Sequence, residues 1–234
     1  MLDAIEVVSN LTPMTQTSAS DEYHLEFTKY GPSEVSRITG VSSDLLRDWR
    51  RRGIIKASDA GSSVYNTLHV AQIMLRRALS DVGVPLTELG RSADLGALYV
   101  LNYAGQMPRA IEAPIDMPPA VLSAAINKLM LPPVFRYLLV IRPRIRAAEL
   151  PGLSADAAAA VEQFDGLIPL PTLEFGLEIL GSFQKDNRAE AWSIVDLRAL
   201  GDKLARLSER PISSLRAGPS GTANSVIAQM FGGS

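Results

Sequence analysis

The sequence predicts an α+β protein, and three observations predict it. Between Gly31 and Ile55 two short helical patterns flank a turn that contains glycine. From Leu68 to Val82 apolar residues recur every three or four positions, as on one face of a helix. Beyond residue 95, short β-prone runs alternate with further helical stripes. At 234 residues, 47% hydrophobic and 21% charged, the chain is long enough to bury a sizeable core.

Residues 1–28 read as an acidic, flexible lead, with Tyr23, Leu25 and Phe27 alternating as in a short strand. Pro32 suits a first helical position, where its missing N–H costs nothing, and Glu34 complements the helix dipole. Val35 and Ile38 give this helix its apolar face, Thr39-Gly40 stops it, and Ser42 is placed to cap the next one. In the second helix Leu45, Leu46 and Trp49 cluster within about 100° of arc, and Trp49 reads as a core residue rather than a stacking platform. Ser43, Arg47 and Arg51 point the other way, with Arg50 at the margin, and Gly53 ends the helix. A short helix, a tight turn and a second helix with a buried stripe and an arginine-bearing outer face make a helix-turn-helix pattern.

The stretch from Lys56 to Asn66 holds small residues and Gly61 between flanks able to extend, which suits a two-stranded wing. Leu68, Ala71, Leu75, Ala78 and Val82 then form an amphipathic helix up to Gly83. Further on, Leu98 to Leu101, Phe135 to Ile141 and Trp192 to Val195 read as buried strands. Pro119 to Leu131 and Ser154 to Phe164 read as helices. Asp196 is placed to cap a helix striped by Leu197, Leu200, Leu204 and Leu207. The expected organisation is a lead over 1–28, a helix-turn-helix module over 29–92, a small α+β domain over 95–215 and a flexible tail over 216–234.

The formal net charge of −2 conceals an uneven distribution. From Lys29 to Arg91 ten basic residues face six acidic ones, a local balance of +4 that leaves −6 elsewhere. The first 28 residues carry five acids and no Lys or Arg. Cysteine is absent, which excludes disulfides, thiolate nucleophiles and Cys-ligated metal. Two histidines, His24 and His69, are too few for a His-rich metal site. No phosphate-binding glycine loop, GxSxG elbow or HExxH motif occurs, and Glu174 and Glu178 read as a solvated helix face. Neither a catalytic residue nor a metal or cofactor is therefore expected. No secretory signal or bilayer-length apolar run is visible, so the expectation is a cytoplasmic protein without membrane attachment.

Residues 30–90 resemble the amino-terminal winged helix-turn-helix of the MerR family of bacterial transcription regulators. The residues that carry the resemblance are Glu34, Val35, Thr39-Gly40-Val41-Ser42, Leu46-Arg47, Gly53-Ile54-Ile55, Tyr65 and Gly83-Val84-Pro85-Leu86-Thr87-Glu88-Leu89. Asp48-Trp49 stands where the family usually has two aromatic residues, and Arg50 replaces a glutamate. The long solitary helix through which family members usually pair is not evident after Gly90. The resemblance implies a sequence-specific, nucleoid-associated DNA-binding regulator acting as a homodimer on a two-fold site, with RNA polymerase as a further partner. The lack of cysteine removes the thiolate site of the family's metal sensors.

The expected contacts to double-stranded DNA are Ser33, Ser42, Ser43, Arg47, Arg50, Arg51 and, in the wing, Lys56 and Ser62. Cations match phosphates, and side chains that reach base edges in the major groove choose sequence. Arg47, central on the outer face, is the leading candidate. Arg52 lies nearer the apolar stripe and is spaced i,i+4 to pair with Asp48. Asp44 on the outer face would repel phosphate unless it meets a base amino group or the helix docks at a tilt. The competing reading is architectural: phage excisionases, small terminase subunits and chromosome-anchoring proteins use similar modules to bend or mark DNA without controlling a promoter.

Overall fold

In the computed structural model, the described residues are 23–55, 64–120, 122–123, 135–142, 167–185 and 191–217. Lys56 and Ser62, the helix expected over Ser154 to Phe164, most of that expected over 119–131, and residues 218–234 lie outside them. Helices and strands are mixed, as an α+β chain requires.

Strand β1 (Tyr23–Phe27) and the two-residue β2 (Lys29–Tyr30) lead into α1 (Pro32–Thr39). Pro32 opens α1, the Glu34 carboxylate accepts from the Gly31 N–H at 2.8 Å, and Gly40 closes it at φ 75°. That left-handed conformation favours glycine, and it turns the chain straight into α2 (Ser43–Arg51). β3 (Tyr65–Asn66) pairs antiparallel with β2, Tyr30 opposite Tyr65. Asn66 then caps α3 (Thr67–Asp81) by accepting from the His69 N–H at 2.9 Å.

Helix α4 (Gly90–Gly105) follows a 3-10 turn at Leu86–Glu88. It corrects the expectation of a strand over Leu98 to Leu101. Ala93, Ala97, Leu98, Val100, Leu101 and Ala104 are all buried, because α4 packs against α3 on one side and the carboxy-terminal helix on another. A helix covered on more than one side loses its polar stripe, so the apolar run imitates a buried strand. The division expected near residues 92–95 falls inside α4.

After β4 (Ile111–Glu112) come β5 (Tyr137–Arg142) and β6 (Ile168–Leu170). They are followed by α5 (Leu173–Lys185), β7 (Ala191–Asp196), α6 (Leu197–Ser208) and β8 (Ser213–Ala217). β5 is the centre of an antiparallel sheet ordered β6-β5-β7. Its alternation serves two cores: Leu138 and Val140 join the main one, while Tyr137, Leu139 and Ile141 meet Ile168, Leu170 and Leu180. The Asp196 carboxylate accepts from the N–H groups of Arg198 and Ala199, so the predicted cap of α6 is present.

The main core is continuous from Tyr30 to Ile212 and includes residues of α1, α2 and α3 together with α4 and α6. Two close approaches make it so. A Cβ on Gly201 of α6 would lie 2.7 Å from both the Tyr103 Cβ and the Val100 carbonyl oxygen, and 2.8 Å from the Ala104 nitrogen. A Cβ on Gly96 of α4 would collide with the Leu75 side chain. Gly201→Ala is therefore expected to destabilise the protein by about 1–2 kcal/mol, overpacking outweighing the ~1 kcal/mol that alanine gains in helix propensity. Gly181→Ala in α5, where a Cβ meets no described atom within 4 Å, is expected to change sign and stabilise by roughly 0.5–1 kcal/mol. Urea denaturation of both variants checks the pair; equal effects would mean that the α4–α6 crossing is looser than described.

The carboxy-terminal strand returns to the amino-terminal module. β8 lies between β1 and β4, antiparallel to β1 with Tyr23 opposite Ala217 and parallel to β4. The Thr28 N–H donates to the Ile212 carbonyl at 3.0 Å, the Thr28 hydroxyl donates to the Pro211 carbonyl at 2.6 Å, and the Thr67 hydroxyl donates to Ile212. Arg37 of α1 donates to the Leu207 carbonyl at 2.8 Å and pairs with Glu209 at 2.7 Å. Arg210 bridges the Lys29 carbonyl and Glu34, each at 2.8 Å, and covers the Tyr30 ring at 5.0 Å. These charged contacts are half-exposed, so screening keeps each small. Arg37→Ala is expected to cost no more than about 1 kcal/mol, checked by the same denaturation. A much larger loss would make the ion pairs, rather than the strand, the main tie.

Candidate nucleic-acid interface

The second helix of the module is built with two unlike sides. Leu46 and Trp49 are 1% and 2% exposed, which fixes the orientation of α2 against the core. Ser42 caps it by accepting from the Leu45 N–H at 3.2 Å, and the Ser43 and Ser36 hydroxyls meet at 3.2 Å, tying α2 to α1. With that face anchored, Ser43, Arg47 and Arg51, spaced four apart, share one exposed stripe.

Arg47 and Arg51 each have 77% of the side chain exposed. Arg47 pairs with Asp44 at 3.0 Å, and Asp44 is itself 89% exposed. Arg51 pairs with Asp48, and Arg52 reaches the other oxygen of the same carboxylate at 3.5 Å, the i,i+4 partnership its spacing predicts. Exposed pairs of this kind are worth about 0.2–0.5 kcal/mol, so a phosphate or base edge can displace them at little cost. Arg50 and Arg51 occupy the last turn, where cations suit the helix dipole.

Arg50 is placed differently from the stripe. Its guanidinium lies 4.8 Å from the centre of the Tyr65 ring, and Nε and Nη2 are buried without a hydrogen-bond partner among the described residues. The contact links the end of α2 to β3. Tyr65 is 3% exposed and packs behind that region. Ser33 is exposed at the start of α1, and Ser42 is exposed while serving as the cap. The structure thus brings Ser43, Arg47 and Arg51 together and turns Arg50 aside, while Lys56 and Ser62 are outside the described residues.

A helix, a three-residue turn that begins at Gly40 and a second helix with a solvent-facing arginine stripe follow one another here. Residues 30–94 match the MerR HTH family regulatory protein. The matched segment of MerR type takes in α1, α2, α3 and the first residues of α4, and it coincides with the part of the chain where positive charge is concentrated. No curated protein and no solved structure matches the chain. Among the described residues no helix is long and apolar enough to cross a membrane.

The contacts that fasten this MerR-type segment to the rest of the chain, made by Arg37, Glu34 and Arg210, carry no local sequence signal. Arg37 lies 170 positions from Leu207, and Glu34 lies 176 from Arg210. Burial pushes the Tyr30 phenol above its ordinary value, so the ring below Arg210 stays neutral.

Proposed function

We propose that the protein is a DNA-binding regulator of transcription that lays α2 in the major groove of double-stranded DNA. One observation carries this reading: an anchored helix presents Ser43, Arg47 and Arg51 to solvent within the segment that matches a regulatory helix-turn-helix family. Arg47 reaches base edges, Ser43 and Arg51 meet phosphates or neighbouring edges, and Lys56 and Ser62 of the wing add backbone contacts. The protein acts as a homodimer on a two-fold site in the cytoplasm, on the nucleoid, with RNA polymerase as a further partner at the promoter.

Genome-wide mapping of the sites bound by the full chain in its native cell tests this. Enrichment at a recurring two-fold motif between or beside promoter elements is the expected result. Enrichment of sites unrelated to promoters would replace regulation with the architectural role of an excisionase-like or small-terminase-like protein. No enrichment at any sequence would remove the reading.

A further inference from the structure

A cleft of about 340 Å³ opens beside the end of α2, between the middle of α3 and the start of α4. Its wall includes Arg52, Ile54, Gln72, Arg76, Leu86 and Asp94. The size falls in the range of small-molecule sites, which combine apolar walls with a few convergent polar groups. Ile54 and Leu86, both half-buried, supply apolar surface, and two guanidinium groups against one carboxylate leave the lining with an excess of one positive charge.

Arg76 is the most buried charged group of the wall. It is 7% exposed, and its Nε is buried with no hydrogen-bond partner among the described residues. Its other contacts are long: 3.3 Å to the Leu89 carbonyl and 3.3 Å to Asp94. Asp94 Oδ1 is shared with the Gln72 amide, which donates to it at 3.0 Å. A buried cation with one orphaned donor and one divided carboxylate is under-satisfied, and such groups call for an acceptor. Desolvation lowers the Arg76 pKa, and Asp94 opposes that shift.

We propose that this cleft binds a small organic carboxylate, its charged end against Arg76 and Arg52 and its apolar end against Ile54 and Leu86. The occupant touches the residues that terminate α2. Arg52 is the cap of that helix, Gly53 adopts φ 69°, and the Ile54 N–H donates to the Trp49 carbonyl at 2.9 Å. Filling the cleft therefore bears directly on the end of the helix carrying Arg47 and Arg51. The binding claim stands on the cleft alone; only its use in regulation rests on the reading of α2 as a DNA-binding helix.

The test titrates the isotopically labelled full chain with benzoate and follows backbone amide NMR signals without DNA. Saturable shifts centred on Gly53, Ile54 and Thr87, with a dissociation constant on the order of 1 mM, are expected. Neutral benzamide is expected to bind at least tenfold more weakly, and Leu86→Trp, which fills the apolar end, to abolish the shifts. Absence of saturable shifts overturns the proposal. So does equal binding of benzamide, the same pattern with inorganic phosphate, or persistence of the shifts in a folded Leu86→Trp protein. Because no DNA is present, failure here is distinct from failure of the proposed DNA-binding function.

Discussion

A chain ending at Arg210 is expected to lose more than about 5 kcal/mol of stability, although every residue of α1, α2 and α3 remains. The loss comes from β8 and the residue before it. Ile212 and Leu215 are each 2% exposed, and burying such a side chain is worth about 1.5–3 kcal/mol. Removing Ile212 also leaves the Thr28 N–H and the Ala110 carbonyl without their partners, and Thr67 without one of its two. A buried polar group stranded in this way costs about 1–3 kcal/mol. The ladder between β8 and β1, five residues long, goes with it. Total stabilities of folded domains are about 5–15 kcal/mol, so the shortened chain should be largely unfolded by circular dichroism and urea denaturation. An unchanged denaturation midpoint would show that the helix-turn-helix module stands without the carboxy-terminal strand.

Arg47→Ala is the second large effect, and it falls on function rather than folding. Arg47 is 77% exposed and its Asp44 partner 89% exposed, so stability should stay within about 0.5 kcal/mol of the parent. Affinity for a preferred duplex should fall by about 1–3 kcal/mol, roughly 5- to 150-fold, if the guanidinium reads a base. Fluorescence anisotropy across a salt series separates two roles. A base contact relaxes preference at one position and leaves the salt slope alone, whereas a phosphate contact weakens all sequences alike and lowers the slope by about 1. Unchanged affinity for the preferred site would take Arg47 off the recognition surface.

Local chemistry made much of the amino-terminal module legible. Pro32, Gly40 and Ser42 mark where α1 and α2 begin and end, and the angular separation of Leu46 and Trp49 from Arg47 and Arg51 is fixed by helix geometry alone. The strand over Tyr23–Phe27 and the cap at Asp196 follow from equally short-range rules. What was not legible depends on partners far along the chain. Alternation marks β1 as a strand but says nothing of β8, which pairs with it across some 190 residues. α4 escaped because three glycines and burial on several sides erase the periodicity that reveals a helix. Gly96 and Gly201 weaken helical propensity locally, yet they are what permits α3, α4 and α6 to approach so closely.

The same division holds for the candidate interface. A helical wheel places Arg50 near the outer face, but only the position of Tyr65, set by the β2–β3 pairing, explains why its guanidinium turns onto that ring. The cleft beside Arg52 combines residues from Arg52 to Asp94, and no spacing rule would have grouped them.

As proposed, the stripe of Ser43, Arg47 and Arg51 reads DNA. Selection of bound duplexes from a random-sequence pool, using the full chain at low salt, tests it most directly. Convergence within a few rounds on a two-fold-related motif is expected, with Arg47→Ala losing preference at defined positions of each half-site. A pool that stays random with the folded parent protein would contradict it.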